Sequence, residues 1–64
     1  MKKYDVLYVS YGSFGTTSKQ AASASDAKAM VESTGASVYE VRGPEGTIKF
    51  MSYSEAVEIQ KRRR

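Results

Sequence analysis

Four short β-favouring runs and two polar, helix-favouring segments alternate along the chain. Residues 3–11 form the longest β-favouring run and are rich in Tyr, Val and Leu. Shorter runs at 37–42 and 47–51 predict two further strands. Residues 16–22 are polar and give the weakest strand prediction. A sheet of three strands, without residues 16–22, is therefore the structural alternative.

The starts of both helices carry the same signal, a serine followed three residues later by an acidic residue. This pattern occupies residues 23–26 and 52–55. Its spacing is that of a capping box, in which the serine oxygen accepts a hydrogen bond from the backbone amide of the acidic residue. The pattern predicts one helix over about 24–34, stopped by the following glycine, and a second over about 53–62.

The two halves of the chain resemble each other. Residues 7–16 match 38–47 at an offset of 31, with one tyrosine, two glycines and one threonine identical. The similarity reflects either an ancient duplication or the order of signals that any ββα unit needs. We therefore predict an α+β fold of two ββα halves, about 3–35 and 36–60, that form a mainly antiparallel four-stranded sheet with both helices on one face.

Charge is concentrated at the end of the sequence. The chain has ten Lys and Arg residues and seven Asp and Glu residues, a net charge of +3. Four of the basic residues are consecutive at 61–64, and residues 1–60 contain six basic and seven acidic side chains. We predict a single domain over 1–60 with a basic tail over 61–64. A nucleic-acid-binding face normally appears as a basic stripe across the fold, which this distribution does not favour.

Two residue types that many enzymes use for catalysis, His and Cys, are missing from the sequence. There is no His and no Cys, so the common zinc sites, disulfides and the usual nucleophile–base pairs are not available. The nine serines lie in no recognised nucleophile motif, and the glycines do not have the spacing of a phosphate-binding loop. We predict that the protein is not an enzyme and has no metal, catalytic residue or cofactor.

The N-terminal region has no sign of export or membrane insertion. Lys2 and Lys3 are not followed by an apolar signal-peptide core, and no run approaches the roughly 18 apolar residues of a membrane helix. A cytoplasmic location is the expectation.

Alternation of side chains along a strand predicts which face of the sheet is buried. The charges of Glu40 and Arg42 place the even-numbered residues of the third strand toward water, with Val38 among them. Tyr39 and Val41 are then predicted to be core. The same reasoning places five further residues in the core: Tyr4, Val6, Tyr8, Ile48 and Phe50.

This assignment leaves an apolar stripe on the open face of the sheet, a feature typical of a contact surface. Cover by the C-terminal segment or a loop is the alternative. We predict a protein-interaction module that docks on a protein partner or forms a homodimer. By analogy with other small chains, it would be an accessory factor or an inhibitor, of the kind that viruses also encode. A Val9→Glu change is expected to weaken binding and leave the fold intact. The predicted partner-binding residues, on the open face and hairpin tips, are Leu7, Val9, Tyr11, Phe14, Val38 and Met51.

Nucleic-acid binding is the alternative function. The sequence pI of about 9.3 favours it, and exposed aromatics would supply stacking surfaces for bases. The predicted nucleic-acid-binding residues are Arg42, Lys49, Lys61, Arg62, Arg63 and Arg64.

Overall fold

A computed structural model describes residues 1–62 as one four-stranded antiparallel sheet with two helices. The strands lie in the order β2-β1-β3-β4, and each half has the order ββα. The predicted α+β class is confirmed, and the three-stranded alternative is wrong. In this part of the chain neither helix has the length and apolar character of a membrane span. The elements are β1 (Lys2–Ser10), β2 (Ser13–Ala21), α1 (Ala24–Glu32), β3 (Ser37–Gly43), β4 (Gly46–Lys49) and α2 (Tyr53–Arg62).

Both predicted helix starts are present. The amide of Asp26 donates to Ser23 Oγ at 3.2 Å, and the amide of Glu55 donates to Ser52 Oγ at 3.1 Å. Each bond satisfies one of the amides that a helix N-terminus leaves without an intrahelical acceptor. The chain leaves α1 through Gly35, whose φ of 96° suits glycine.

The main core lies between α1 and the sheet surface that we call the α1 face. Tyr4, Val6 and Tyr8 of β1 point to this face as predicted, with Tyr8 only partly buried. The small side chains of α1 let the helix approach the strands closely. The buried cluster consists of Tyr4, Val6, Ala21, Ala24, Ala27, Val31, Ala36, Val38 and Val41.

A β-bulge in β3 changes which residues reach this core. Leu7 pairs with Glu40 but Tyr8 pairs with Val38, so Tyr39 is an extra residue opposite β1. Val38 and Val41 consequently share the α1 face although they are three residues apart, and both are buried. The predictions that Val38 faces water and that Tyr39 belongs to the core are therefore wrong.

The second helix lies on the opposite surface of the sheet, which we call the α2 face. Val9 alternates with Tyr8 along β1 and pairs with Phe14 and Ser37, so these three residues share a face. Gln60 of α2 bonds to Ser37 Oγ, and Tyr53 of α2 packs on Phe14. The expectation that both helices occupy one face is wrong, and the alternative in which the C-terminal segment covers the apolar stripe is the one observed.

The connection before α2 explains the change of face. The amides of Phe50 and Met51 both donate to the carbonyl of Tyr39, at 3.0 and 3.4 Å. These bonds hold the chain at the bulge, where it leaves β4 and passes to the other side of the sheet. Phe50 packs against the α1-face core as predicted, whereas Ile48 stays 43% exposed because α1 does not extend over β4.

Candidate functional site at the hairpin tip

The β1–β2 hairpin ends in a two-residue turn with an unusual composition. Tyr11 and Gly12 have φ values of 52° and 82°. Positive φ at both central residues is the property of a type I′ turn, which favours Asn-Gly. A non-glycine residue in this region costs about 1–2 kcal/mol, and among the described residues Tyr11 is the one non-glycine that adopts it. The aromatic side chain is 85% exposed, so its own burial does not repay this cost.

Gln60 holds the tip in place from α2. Its Oε1 accepts from the amide of Tyr11 at 3.2 Å, and its Nε2 donates to the carbonyl of Gly35 at 3.0 Å and to Ser37 Oγ at 2.8 Å. Gln60 is itself only 7% exposed. One buried carboxamide therefore joins the hairpin tip, the loop after α1, the start of β3 and the last turn of α2.

Three aromatic rings lie beside the tip on the α2 face. Tyr53 makes edge-to-face contacts with Phe14, at 5.4 Å between ring centroids, and with Tyr39, at 5.6 Å. Such pairs are worth about 0.5–1.5 kcal/mol beyond the area that they bury. Phe14 nevertheless remains 66% exposed and Tyr53 45% exposed. The cluster is thus ordered by its internal contacts while it keeps a large apolar surface in solvent.

A cleft of about 520 Å³ separates the tip from α2. Val9, 1% exposed, lies at its base, with Tyr11 on one side and Tyr53 and Val57 on the other. Lys61 lies at the rim, and its Nζ is 3.9 Å from Glu58 Oε2 in an exposed pair. An exposed pair of this kind contributes little, so the rim is cationic, and the cleft lining combines the apolar surface of Val57 and the tyrosine rings with polar atoms. We call this cleft and the three aromatic rings beside it the tip site.

The predicted partner-binding residues separate in the structure. Tyr11 and Phe14 are exposed at the tip as expected. Val9 and Val38 are 1% and 0% exposed, so their predicted exposure on an open face is wrong: α2 covers Val9, and the bulge turns Val38 toward α1. Leu7 and Met51 are partly buried. Because Val9 is buried, we now expect Val9→Glu to destabilise the fold.

The four predicted nucleic-acid-binding residues within 1–62 do not form one stripe. Arg42 bonds to Glu40 at 2.7 Å, and Lys49 is the β4 partner of Glu40, so positive and negative groups are mixed here. Lys61 and Arg62 end α2 near the tip. Arg63 and Arg64 lie outside the described residues.

Sequence reasoning missed Gln60 and the contribution of Tyr53. Residues 53, 56, 57 and 60 follow the spacing of one helix face, on which Ala56 is fully buried. A glutamine on an otherwise apolar face is the signal that could have indicated a buried polar anchor.

A separate polar cluster lies at the turn between β3 and β4. Glu45 accepts hydrogen bonds from Lys2 and, at 3.1 Å, from the hydroxyl of Tyr4. The bond from Lys2 lowers the pKa of Glu45, and the same bond raises the pKa of Lys2. Burial, followed by the bond to Glu45, raises the pKa of Tyr4. This cluster fastens the β3–β4 turn to β1.

The tip site contains no His, Cys, Asp or Glu side chain. Its polar members are an amide, phenol hydroxyls and a lysine ammonium. In the stretch 1–62, no three His, Cys, Asp or Glu side chains come together as metal ligands. This arrangement offers an aromatic surface, held by its internal contacts, beside a cleft with a mixed apolar and polar lining.

The chain matches no protein-family model, no curated protein and no solved structure.

Proposed function

We propose that the protein is a non-enzymatic protein-binding module that docks through the tip site. The observation that carries this proposal is Tyr11, an exposed aromatic residue in a turn position where asparagine or glycine is strongly favoured. Strained residues persist where the surrounding structure holds them, and they cluster at functional sites.

The rigidity of the tip supports a role in binding. Gln60 fixes the backbone of Tyr11, and Tyr53 fixes the rings on either side of it. A surface that is ordered before binding loses less entropy when a partner docks. Tyrosine is among the residues that dominate binding energy at protein interfaces, because it contributes a large contact area with few rotatable bonds.

The cleft favours an apolar side chain of the partner as the anchor. Val57 offers apolar contact above the buried Val9, and Tyr11 and Tyr53 stand on either side. The charge of Lys61 at the rim favours acidic groups beside that anchor. A protein segment that carries an apolar residue next to acidic residues fits these features. By binding such a segment, this protein would act as an accessory factor or an inhibitor.

The proposal is tested by selecting binders from a displayed library of random peptides with the intact chain. Tyr11→Asn removes the ring and retains the turn, because asparagine tolerates positive φ. We expect selected peptides to bind this variant about 30-fold more weakly or worse, the loss typical of a central aromatic contact. Tyr11→Phe is expected to bind almost normally, since it retains the ring.

Thr47→Asn provides the matched control, because Thr47 is exposed on β4 and outside the tip site. Selected peptides that bind Tyr11→Asn as well as they bind the wild type contradict the proposal. The alternative is tested in parallel with single-stranded oligonucleotides over a salt series. Oligonucleotide binding that depends on both Tyr11 and salt would instead favour nucleic acid as the ligand.

A further inference from the structure

The second surface with unused binding capacity is the outer edge of β2. Within residues 1–62, this strand lies at one end of the sheet and pairs only with β1. It is nine residues long, whereas the opposite edge strand, β4, has four. A long exposed edge strand presents unpaired amides and carbonyls to any strand that can pair with it.

The hairpin turn determines which backbone groups of β2 are free. Ser10 and Ser13 flank the two-residue turn and form the hydrogen-bonded pair that closes it. The ladder alternates from there, so odd-numbered residues of β2 bond to β1. The amides and carbonyls of four residues therefore point outward: Phe14, Thr16, Ser18 and Gln20.

Protection against strand pairing is weak along β2. The strand contains no proline, its register with β1 is continuous from Ser13 to Ala21, and Lys19 is its one charged residue. The short β4 follows Pro44 and ends in Lys49, both of which discourage pairing. The two edges of this sheet are thus unequal, and β2 is the one open to addition of a strand.

We propose that β2 pairs antiparallel with β2 of a second copy of the chain, around a two-fold axis at Thr17. This register is the one that pairs all nine residues. The outward groups of Phe14 then meet those of Gln20 in the second copy, and Thr16 meets Ser18. Hydroxyl pairs of this kind are favourable across antiparallel strands. The product is a continuous eight-stranded sheet.

Charge and space favour a second copy in this register. Lys19 lies opposite Gly15 of the second copy, so no like charges oppose each other. Gly15 carries no side chain, and the end of the Tyr8 side chain fills the position that a Cβ would take, with its Oη 3.0 Å away. A cleft of about 480 Å³ runs along the same face between β2 and α1, lined in part by Thr17, Lys19 and Val31. In this arrangement the two tip sites lie at opposite ends of the β2–β2 interface. The two Phe14 residues are then about 20 Å apart along the strands.

The test uses sedimentation equilibrium over a concentration series with Thr17→Lys and Thr17→Glu. Thr17 lies on the axis, so each variant alone opposes two like charges, and we expect dimerisation at least about fivefold weaker. An equimolar mixture opposes a lysine to a glutamate and is expected to restore dimerisation. Restoration by mixing also shows that both variants are folded. Thr47→Lys and Thr47→Glu on the other edge serve as controls with unchanged dimerisation.

Thr17→Cys provides an independent measurement, since the natural chain has no cysteine. Thr17 of the two copies would form a non-hydrogen-bonded pair with Cα atoms about 4.5 Å apart, within disulfide range. We expect rapid disulfide formation for Thr17→Cys and little for Thr47→Cys. The proposal is overturned if the wild type stays monomeric up to about 1 mM. The edge of β2 would then be available to a strand of another protein. Equal dimerisation of wild type and both Thr17 charge variants, or equal cross-linking of both cysteine variants, overturns the proposal too.

Discussion

The two helices begin alike but are used differently. Each follows a β-hairpin and starts at a serine cap, yet α1 and α2 lie on opposite faces of the sheet. α1 buries Ala24, Ala27 and Val31, an entirely apolar set, whereas α2 buries Ala56 and Gln60. A cap thus determines where a helix starts, while the connection before it determines which face of the sheet the helix covers.

The two faces of the sheet also differ in what they contribute to the molecule. The α1 face contains the nine-residue core, with the small side chains of a close-packed interface. The α2 face has an anchor of hydrogen bonds, three partly exposed aromatic rings and an open cleft. The first arrangement provides stability, and the second provides the surface that we propose for binding.

The sharpest test of this division is a pair of identical substitutions in β1. Val6 and Val9 are 0% and 1% exposed but lie on opposite faces. We expect Val6→Ala to lower the free energy of unfolding by about 3 kcal/mol and Val9→Ala by about 1 kcal/mol, because the open cleft beside Val9 can relax around the missing methyl groups. Urea denaturation measures both. An equal loss for the two variants would contradict the division.

A second pair of substitutions compares the two glycines that lie under tyrosine rings of β1. A methyl group at Gly43 would overlap the buried ring of Tyr4, whereas at Gly15 it would lie 3.0 Å from Oη and 3.2 Å from Cζ, at the far end of the Tyr8 side chain. We expect Gly43→Ala to destabilise the protein by about 2 kcal/mol and Gly15→Ala by less than about 1 kcal/mol. Thermal unfolding checks the order. The reverse order would show that the ring of Tyr4 moves more freely than its burial indicates.

Removal of the polar anchor tests how α2 is attached. Gln60→Ala leaves the amide of Tyr11, the carbonyl of Gly35 and Ser37 Oγ without this partner, and we expect a loss of about 1–2 kcal/mol. Hydrogen exchange should show faster exchange at Tyr11 with little change in α1. Glu58→Ala, on the exposed side of the same helix, is the control. Equal protection of the Tyr11 amide in wild type and Gln60→Ala is the result that would refute the anchor.

The smallest expected effect concerns pH and the cluster at the β3–β4 turn. Folding lowers the pKa of Glu45 below its ordinary value of 4.5, so its ionised form stabilises the folded state above that pH. This contribution is lost as the pH falls through the lowered pKa. Glu45→Gln should therefore be less stable than the wild type at neutral pH, and the difference should vanish in acid. Urea midpoints from pH 7 downward, with Glu58→Gln as the control, measure this; a difference that persists in acid excludes the ionic cause.

The sequence similarity between the two halves does not extend to the structural positions of their aligned glycines. The alignment pairs Gly12 with Gly43 and Gly15 with Gly46. In the structure Gly12 is a turn residue and Gly43 ends β3, while Gly15 lies within β2 and Gly46 has a φ of 120°. The aligned glycines thus play different parts, and the shared feature is the order of signals for hairpin and helix.

Local signals in the sequence determined the elements of this fold. The serine caps at Ser23 and Ser52 predicted both helix starts, and alternation in β1 correctly placed Tyr4 and Val6 in the core. Tyr11 and Phe14 were recognised as exposed aromatics at the tip. These properties depend on neighbours a few residues away, so they can be read along the chain.

Tertiary structure alone decided the rest. The bulge at Tyr39 depends on how β3 pairs with β1, and it reversed the prediction for Val38. The placement of α2 depends on the bonds from Phe50 and Met51 to Tyr39, and it buried Val9 and brought Gln60 under the tip. These contacts join residues distant in sequence, and periodicity within one strand or helix contains no information about which distant segment will pack against it.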